Sequence, residues 1–325
     1  MTAGSLIGNG SPDPWRHPAD TSPAREVPAR VRAWAQEQLE SEIISIKPVG
    51  GGRTDTISAV YLPRGERVIL RHVSVQRWGE IGRRHVVCEA LGCRLMESSS
   101  LPVPQLIASD PDGSGTGDYA NLTTWIPGRV RLGPLSLEAI DELARIAVII
   151  HGTPVDDVCR PRPFEFWTPD DLQVPNWTSR PELWRRAIDI FNQGPPPTHQ
   201  GLIHRDFHPG NILWEGDRIT GVIDWAETSW GPPDLDVMHC RANSAMLHDF
   251  DSADAFSVAY RWHGGVLDDD QEAAVFWAVS DILGFLPDPI EIITALIHHR
   301  TDLPDQLVRE RLEHLLVITI GDYCH

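Results

Sequence analysis

Lysine is nearly absent from this chain: Lys47 is the only one, and every other strongly basic side chain is an arginine. Acidic residues outnumber Lys and Arg by 46 to 28, which gives a formal net charge of −18. Nucleic-acid binding requires clusters of basic residues against the phosphates, so this balance argues against a nucleic-acid partner. An acidic cleft concentrates positive ligands, and the charge is therefore compatible with a cationic small molecule, as it is with general solubility.

Cysteines and long apolar runs are also scarce. The five cysteines form no C-x-x-C pair and predict neither a disulfide framework nor a zinc knuckle. No run of about 18 apolar residues is present, which argues against a membrane span. The first residues lack the basic start and apolar core of a secretory signal. We therefore expect a cytoplasmic protein with reduced thiols and no membrane partner.

The length of 325 residues exceeds what one hydrophobic core normally supports, so two lobes are expected. Residues 1–27, rich in Gly, Ser, Pro and Asp, are predicted to be a flexible tail. Residues 28–121 form the predicted N-terminal lobe, with an opening helix and then β-branched segments separated by Gly or Pro connectors. A helix is predicted over 77–97, and one further strand ends at the breaker Pro127–Gly128.

A connector at 122–128 is predicted to be the hinge to a second lobe, 129–325, in which helical periodicity dominates. Its first helix follows Ser136, a capping residue. Further helices are predicted near 181–192, 234–248, 251–262, 269–285 and 304–320. The exception is 202–224, where the apolar runs NILW and ITGVIDW predict a small hairpin.

The densest group of polar residues is HRDFHPGN, His204–Asn211. Pro209 and Gly210 exclude a helix there, so Asp206 and Asn211 lie on a loop that leads into a strand. Asp224 then ends the next apolar strand. This order of acidic and amide groups is what magnesium-dependent phosphoryl transfer requires, because Mg²⁺ prefers oxygen ligands and the attacking hydroxyl must lose a proton. We assign Asp206 as the base and Asn211 with Asp224 as the metal ligands.

With VIDWAE and GPPDLDV following it, this loop resembles the aminoglycoside phosphotransferase and choline kinase-type family of the protein-kinase-like superfamily. The resemblance implies an α+β, two-lobed protein-kinase-like fold with a small β-rich N-lobe and a larger, mainly helical C-lobe. It also implies that His204 and Asp236 support the loop. Arg205 departs from the pattern, in which small-molecule kinases carry Gly.

A kinase of this type needs a small-lobe cation on the α- and β-phosphates, held by a helix carboxylate. No lysine is available on the segment RVILRHV, so we assign Arg71 to the phosphates, with Glu89 as its partner and Glu80 as the alternative. The glycine run 50–56 predicts backbone contacts to phosphates, or a simple hairpin turn. The remaining residues assigned to the nucleotide lie in that run and in the connector: Gly51, Gly52, Arg53, Thr54, Thr124 and Ile126.

The acceptor pocket is expected in the helical lobe, where carboxylates lie near aromatic residues. Such groups suit an amine-bearing ligand, although acidic runs are also favoured at helix N-termini. The candidates are Trp167, Asp170, Asp171, Asp249 and Asp251.

The predicted function is an O-phosphotransferase that uses ATP or GTP and Mg²⁺ to phosphorylate a hydroxyl of a small molecule. The leading acceptor is an aminoglycoside-like, peptide or macrolide antibiotic, which would make the chain a resistance kinase. The alternatives are a metabolic kinase for an amino alcohol, amino acid or sugar, and a pseudokinase scaffold. A zinc hydrolase using His204, Asp206 and His208 explains the pattern less well, because it leaves the spacing of Asn211 and Asp224 unexplained. A purely structural turn is also disfavoured, because loops this polar usually carry function.

Overall fold

The computed structural model describes residues 26–49, 56–297, 300 and 302–321. The smaller lobe contains a five-stranded antiparallel sheet with strand order β1-β2-β3-β5-β4. Its strands are β1 (Ser45–Pro48), β2 (Thr56–Tyr61), β3 (Arg67–Val73), β4 (Leu106–Asp110) and β5 (Tyr119–Thr124). The sequence predicts four of these strands and misses β4, whose short LIASD segment is bounded by Pro-rich and Gly-rich loops.

Two helices flank this sheet. Helix α1 (Ala29–Leu39) places Val31 and Trp34 in a core with Leu70 and Leu122 of the central strands. Helix α2 (Val75–Met96) is kinked at Gly79, where φ is 46°, a conformation that glycine adopts without the steric cost of a Cβ. It begins two residues before the predicted 77–97 helix.

The larger lobe is mainly helical, as predicted. Ser136 caps α3 by accepting a hydrogen bond from the Ala139 backbone N–H, and Asp270 caps α7 through Ala273 N–H. The helices are α3 (Leu137–His151), α4 (Pro181–Asn192), α5 (Pro233–Leu247), α6 (Phe250–Trp262), α7 (Gln271–Leu283), α8 (Pro289–Ile292), α9 (Thr294–Ile297) and α10 (Asp305–Gly321).

Short strands of the larger lobe carry the polar loop. The predicted hairpin is confirmed as β8 (Ile212–Glu215) paired with β9 (Arg218–Val222), and β6 (Arg129–Val130) extends it. A second pair, β7 (Gly201–Ile203) with β10 (Ser229–Gly231), was not predicted, because three-residue strands carry too little periodicity. Together the two pairs fix both ends of the segment between Ile203 and Ser229.

The α+β, two-lobed fold class expected from the sequence is confirmed by these elements. The described cysteines Cys88, Cys93, Cys159 and Cys240 are free, and Cys324 lies outside the described residues. Among the described residues, the helices are too short or too polar to traverse a lipid bilayer.

Candidate active site

The loop His204–Asn211 joins β7 to β8. Arg205 adopts a left-handed backbone conformation with φ of 71°, and Pro209–Asn211 form one 3-10 turn. The ring of His208 closes this turn, because its Nδ1 accepts the Gly210 N–H at 3.0 Å. The loop is therefore held in an irregular shape by its own hydrogen bonds, as Pro209 and Gly210 predict.

Asp236, in the first turn of α5, anchors the start of this loop. Its Oδ2 accepts the His204 backbone N–H at 2.7 Å and the His151 ring at 3.1 Å, and its Oδ1 accepts the Arg205 N–H at 2.7 Å. The carboxylate is fully buried. Burial alone raises its pKa, but the hydrogen bond and charge of His151 and the charge of His204 outweigh burial, so the pKa lies below its ordinary value. The anion is thus the stable form.

Asp206 is held by contacts to both carboxylate oxygens. The Asn211 side-chain amide donates to Oδ2 at 3.0 Å and to the Asp206 backbone carbonyl at 2.8 Å. The ring of His239 lies with Nε2 3.2 Å from Oδ1. Burial raises the pKa of Asp206, but the charges of His208, His239 and His204 and the hydrogen bond of His239 together outweigh burial, so the pKa lies well below its ordinary value. Asp206 is therefore a fixed carboxylate that stays ionised throughout the neutral range.

Asp224 follows β9 and adopts a left-handed conformation with φ of 64°. A backbone hydrogen bond from Ile223 N–H to the Asn211 carbonyl (3.0 Å) places it beside the loop His204–Asn211. The His204 ring adds a second link, with Nε2 3.0 Å from the Ile223 carbonyl oxygen. The loop and the end of the strand therefore form one unit.

Arg71, on β3, connects the two lobes. Its Nε bonds to Glu89 Oε1 on α2 at 2.9 Å, and its Nη2 bonds to Asp224 Oδ1 at 2.7 Å. Asn121 donates to the second Glu89 oxygen at 2.8 Å. Glu80, the alternative partner, lies on the surface and pairs with Arg83. The structure thus brings Arg71, Glu89 and Asp224 together, as a small-lobe cation held by a helix carboxylate requires.

A cleft of about 960 Å³ lies between the lobes and is lined by Asp206, Asn211, Asp224, Arg71 and Glu89. The connector residues Thr124 and Ile126, predicted to contact the nucleotide, also line this cleft, with apolar side chains from both lobes. The predicted Gly51, Gly52, Arg53 and Thr54 lie outside the described residues.

On the opposite side of the cleft, Trp167 is the predicted acceptor residue that lines it. The Arg205 guanidinium lies 3.8 Å from the centroid of the Trp167 ring and so fixes the ring in place. The other four candidates are exposed and are not part of the cleft wall. Asp249 caps α6, Asp251 lies in the first turn of the same helix, and Asp171 accepts a hydrogen bond from Gln173, while Asp170 lies beside it.

In the part of the chain that the structure describes, two sets of side chains near Asp206 could hold a metal ion. Asn211 and Asp224 offer oxygen ligands: the amide nitrogen of Asn211 is used by Asp206, and Asp224 Oδ2 is the carboxylate oxygen that the Arg71 bond does not use. This donor set fits Mg²⁺. The second set is Asp206, His208 and His239, whose ligand atoms lie within 4.8 Å of one another. It differs from the zinc site considered from the sequence, because His204 bonds the Ile223 carbonyl instead.

His239 and Asp281 line the cleft next to Asp206 and were not predicted from the sequence. Glu227 also lines the cleft, and it binds His85 of α2 at 3.1 Å and Arg162 at 2.9 Å. The signal that could have identified Asp281 is an ionisable residue within the otherwise apolar segment AVFWAVSDILGF, because a buried carboxylate needs a partner.

Comparisons with known proteins agree with this geometry. A model of the phosphotransferase enzyme family (APH) matches residues 45–274. No curated protein sequence matches the chain. Among solved structures, macrolide 2′-phosphotransferase MphH from Brachybacterium faecium aligns with a TM-score of 0.53 and 17% identity, over 89% of this chain and 97% of its own. Spectinomycin phosphotransferase APH(9)-Ia aligns with a TM-score of 0.56 and 13% identity, over 86% of this chain and 94% of its own. Amicoumacin kinase hAmiN aligns with a TM-score of 0.54 and 14% identity, over 89% of this chain and 96% of its own.

At these identities the solved structures show a shared fold, whereas the range matched by the family model contains the loop His204–Asn211, Asp224, Arg71 and Glu89. The chain therefore belongs to the phosphotransferase enzyme family, and it is a small-molecule kinase with a protein-kinase-like fold.

Proposed function

We propose that this kinase moves the γ-phosphoryl group of ATP or GTP onto a hydroxyl of a small molecule, with Mg²⁺ as the metal. The observation that carries the proposal is the ion triad in which Arg71 bonds both Glu89 and Asp224, beside Asp206 and Asn211 in one cleft. ADP with spectinomycin in APH(9)-Ia, and AMP-PNP with Ca²⁺ in hAmiN, support a nucleotide donor and a divalent cation. An ATP supply fits the expected cytoplasmic location.

Each residue has one role in this proposal. Asp206 orients the acceptor hydroxyl and takes its proton as the new P–O bond forms and the bond to the β-phosphate oxygen breaks. Asn211 and Asp224 would hold Mg²⁺, which when bound neutralises charge on the β- and γ-phosphates. Arg71, kept in place by Glu89, contacts the phosphates. Thr124 and Ile126 offer backbone groups to the base, and the run containing Gly51, Gly52, Arg53 and Thr54 stays a proposal for the phosphates.

For the acceptor, we propose a low-charge molecule with a large apolar body, such as a macrolide, over a polycationic aminoglycoside. Each acidic side chain that lines the described part of the cleft already has a basic partner, so an ammonium group would have to displace one: Glu89 and Asp224 with Arg71, Glu227 with His85 and Arg162, Asp206 and Asp281 with His239. The cleft is also lined by apolar side chains of the larger lobe, among them Leu132, Phe285, Ile293 and Leu296. Antibiotic resistance is the corresponding biological role.

An acceptor screen tests the proposal. Purified protein with Mg²⁺ and either ATP or GTP is offered macrolides, peptide antibiotics, aminoglycosides, amino alcohols and sugars, and nucleotide consumption and product mass are measured. Asp206→Asn should lower acceptor-dependent turnover by about 10²–10⁴-fold, because general-base catalysis contributes that much. Asp170→Asn, on an exposed residue outside the cleft wall, is the matched control. Turnover unaffected by Asp206→Asn contradicts the mechanism; phosphorylation of amino alcohols alone contradicts the acceptor class and indicates a metabolic kinase.

A further inference from the structure

His239 is the ionisable side chain that contacts the catalytic carboxylate from outside its own loop. It lies on α5, three residues after Asp236, and residues at this spacing share one face of a helix. Asp236 binds the backbone of the catalytic loop, and His239 Nε2 lies 3.2 Å from Asp206 Oδ1. One helix face therefore fixes both the backbone and the side chain of the residue that takes the proton.

The other ring nitrogen of His239 is bound by a second carboxylate. Nδ1 lies 3.0 Å from Oδ1 of Asp281 on α7. Asp281 is buried, and its Oδ2 finds no hydrogen-bond partner among the described residues. A buried carboxylate with an unpaired oxygen costs free energy, which calls for a reason to keep it. A cationic imidazole between Asp281 and Asp206 supplies that reason.

The ring of His239 cannot turn away from these partners. It stacks on Phe285 with centroids 5.8 Å apart and planes 3° from parallel, and Trp167 packs edge-on at 5.1 Å. Asn243 Nδ2 lies 3.2 Å from Nε2, but it also donates to the His239 backbone carbonyl at 3.0 Å. That bond uses one of the two amide hydrogens, and because an amide nitrogen accepts no hydrogen bond, Asn243 Nδ2 does not compete with Asp206 for the Nε2 hydrogen.

We propose that His239, oriented by Asp281, is a positioning residue for catalysis: it donates Nε2–H to Asp206 Oδ1 and so fixes the carboxylate for the acceptor hydroxyl. With Asn211 on the other oxygen, each carboxylate oxygen keeps a lone pair for the incoming proton. This inference rests on the proposed function, and it concerns a contact that the catalytic-loop motif does not contain.

The charges around the ring favour its protonated form. The titratable groups that face the ring are Asp206 and His208 from the catalytic loop and Asp281 from α7. Asn243, on the same helix as His239, is neutral. The guanidinium of Arg205 lies against the Trp167 ring. Burial lowers the pKa of His239, but the charges and hydrogen bonds of Asp281 and Asp206 raise it to about 9. At neutral pH the two aspartates thus share one imidazolium.

Three variants separate positioning from structure. His239→Leu removes both hydrogen bonds, His239→Gln keeps one donor near the Nε2 position, and Asp281→Asn keeps an acceptor for Nδ1 without its charge. We expect His239→Leu to lower kcat about 100-fold, because a misplaced catalytic group costs about that much. The KM for ATP should stay within threefold, and His239→Gln should recover at least tenfold in kcat.

Two measurements are independent of turnover. NMR of imidazole-labelled protein should show His239 titrating above its ordinary range, and Asp281→Asn should lower that pKa. Stabilisation by Mg·ATP in thermal unfolding should be the same in all variants, since the nucleotide contacts are unchanged.

Overturning results are equally specific. His239→Leu with wild-type kcat, or a wild-type His239 with an ordinary pKa, contradicts the inference. Parallel loss of kcat, ATP stabilisation and folding stability without recovery in His239→Gln shows a structural role only. If the wild type transfers no phosphoryl group, the proposed function fails, whereas the NMR titration still tests the Asp206–His239–Asp281 arrangement.

Discussion

Replacing Asp236 by Asn tests how the catalytic loop is held. Asn has one carbonyl oxygen and one NH₂ group where Asp236 has two acceptors. In its better orientation the oxygen keeps the His204 N–H and His151, and the NH₂ then faces the Arg205 N–H. The variant loses one hydrogen bond to a charged acceptor, worth about 1.5–3 kcal/mol, and leaves a buried donor unpaired at about 1–3 kcal/mol more. We expect a loss of about 3–5 kcal/mol in the free energy of unfolding, the range seen when a buried charge loses a partner.

Asp234→Asn is the matched control for this prediction. Asp234 is also buried in the first turn of α5, so both variants lose the same favourable charge at a helix N-terminus. Its carboxylate accepts the Asp268 backbone N–H at 3.2 Å and does not bind the backbone of the loop His204–Asn211, and burial raises its pKa. This variant should cost less than about 1.5 kcal/mol.

Urea unfolding followed by circular dichroism and by tryptophan fluorescence gives both free energies, provided that the two probes coincide. Equal losses for Asp234→Asn and Asp236→Asn refute the argument that the loop depends on these particular acceptors. A larger loss for Asp234→Asn refutes it more strongly.

Further predictions concern α2, the packing of the lobes and pH. Glu89→Gln weakens the ion pair with Arg71 and should lower kcat/KM for ATP at least tenfold in steady-state assays. Its control, Glu80→Gln, changes a surface residue and should alter kcat/KM less than twofold. Gly92→Ala places a Cβ against the turn after β9 and should cost about 1–3 kcal/mol in urea unfolding, whereas Gly133→Ala meets open space and should cost less. The folded-state pKa of His239 is raised to about 9, so the contribution of its charge to the free energy of unfolding is complete below about pH 6.5 and should be lost as pH rises through 9. Urea unfolding at successive pH values should show a loss of up to about 3 kcal/mol. A free energy of unfolding that is constant over this range contradicts the charged state of His239.

Sequence order was enough to predict the main geometry of the site. Asp206 and Asn211 lie on the loop before β8, and Asp224 follows β9; because β8 and β9 form one hairpin, local rules place the three residues together. The pairing of Arg71 with Glu89 could be predicted only from the family resemblance, because no local sequence rule says which residue of a helix will contact the preceding strand. The structure now pairs those two residues, and their contact with nucleotide stays a prediction.

The contacts of His239 and the pairing of the acidic side chains in the cleft could not be predicted in this way. His239 meets Asp206 and Asp281 only because α5 and α7 turn particular faces toward the loop, and sequence periodicity does not determine helix rotation to that precision. The acidic residues at 249 and 251 look the same in sequence whether they bind an amine or begin a helix. In the structure they lie at the start of α6.

The way α2 lies against the larger lobe has a consequence for control. Gly92 faces Trp225, where an added Cβ would come within 3.0 Å of the tryptophan Cβ, and His85 is bound by Glu227. Glu89 lies between these two contacts on the same helix, so the packing of α2 against the larger lobe fixes the position of the carboxylate that binds Arg71. In kinases whose helix must be moved into place, phosphorylation of a loop acts as the switch. Here we expect a catalyst that is always on, whose output follows the supply of nucleotide and acceptor and the amount of protein made.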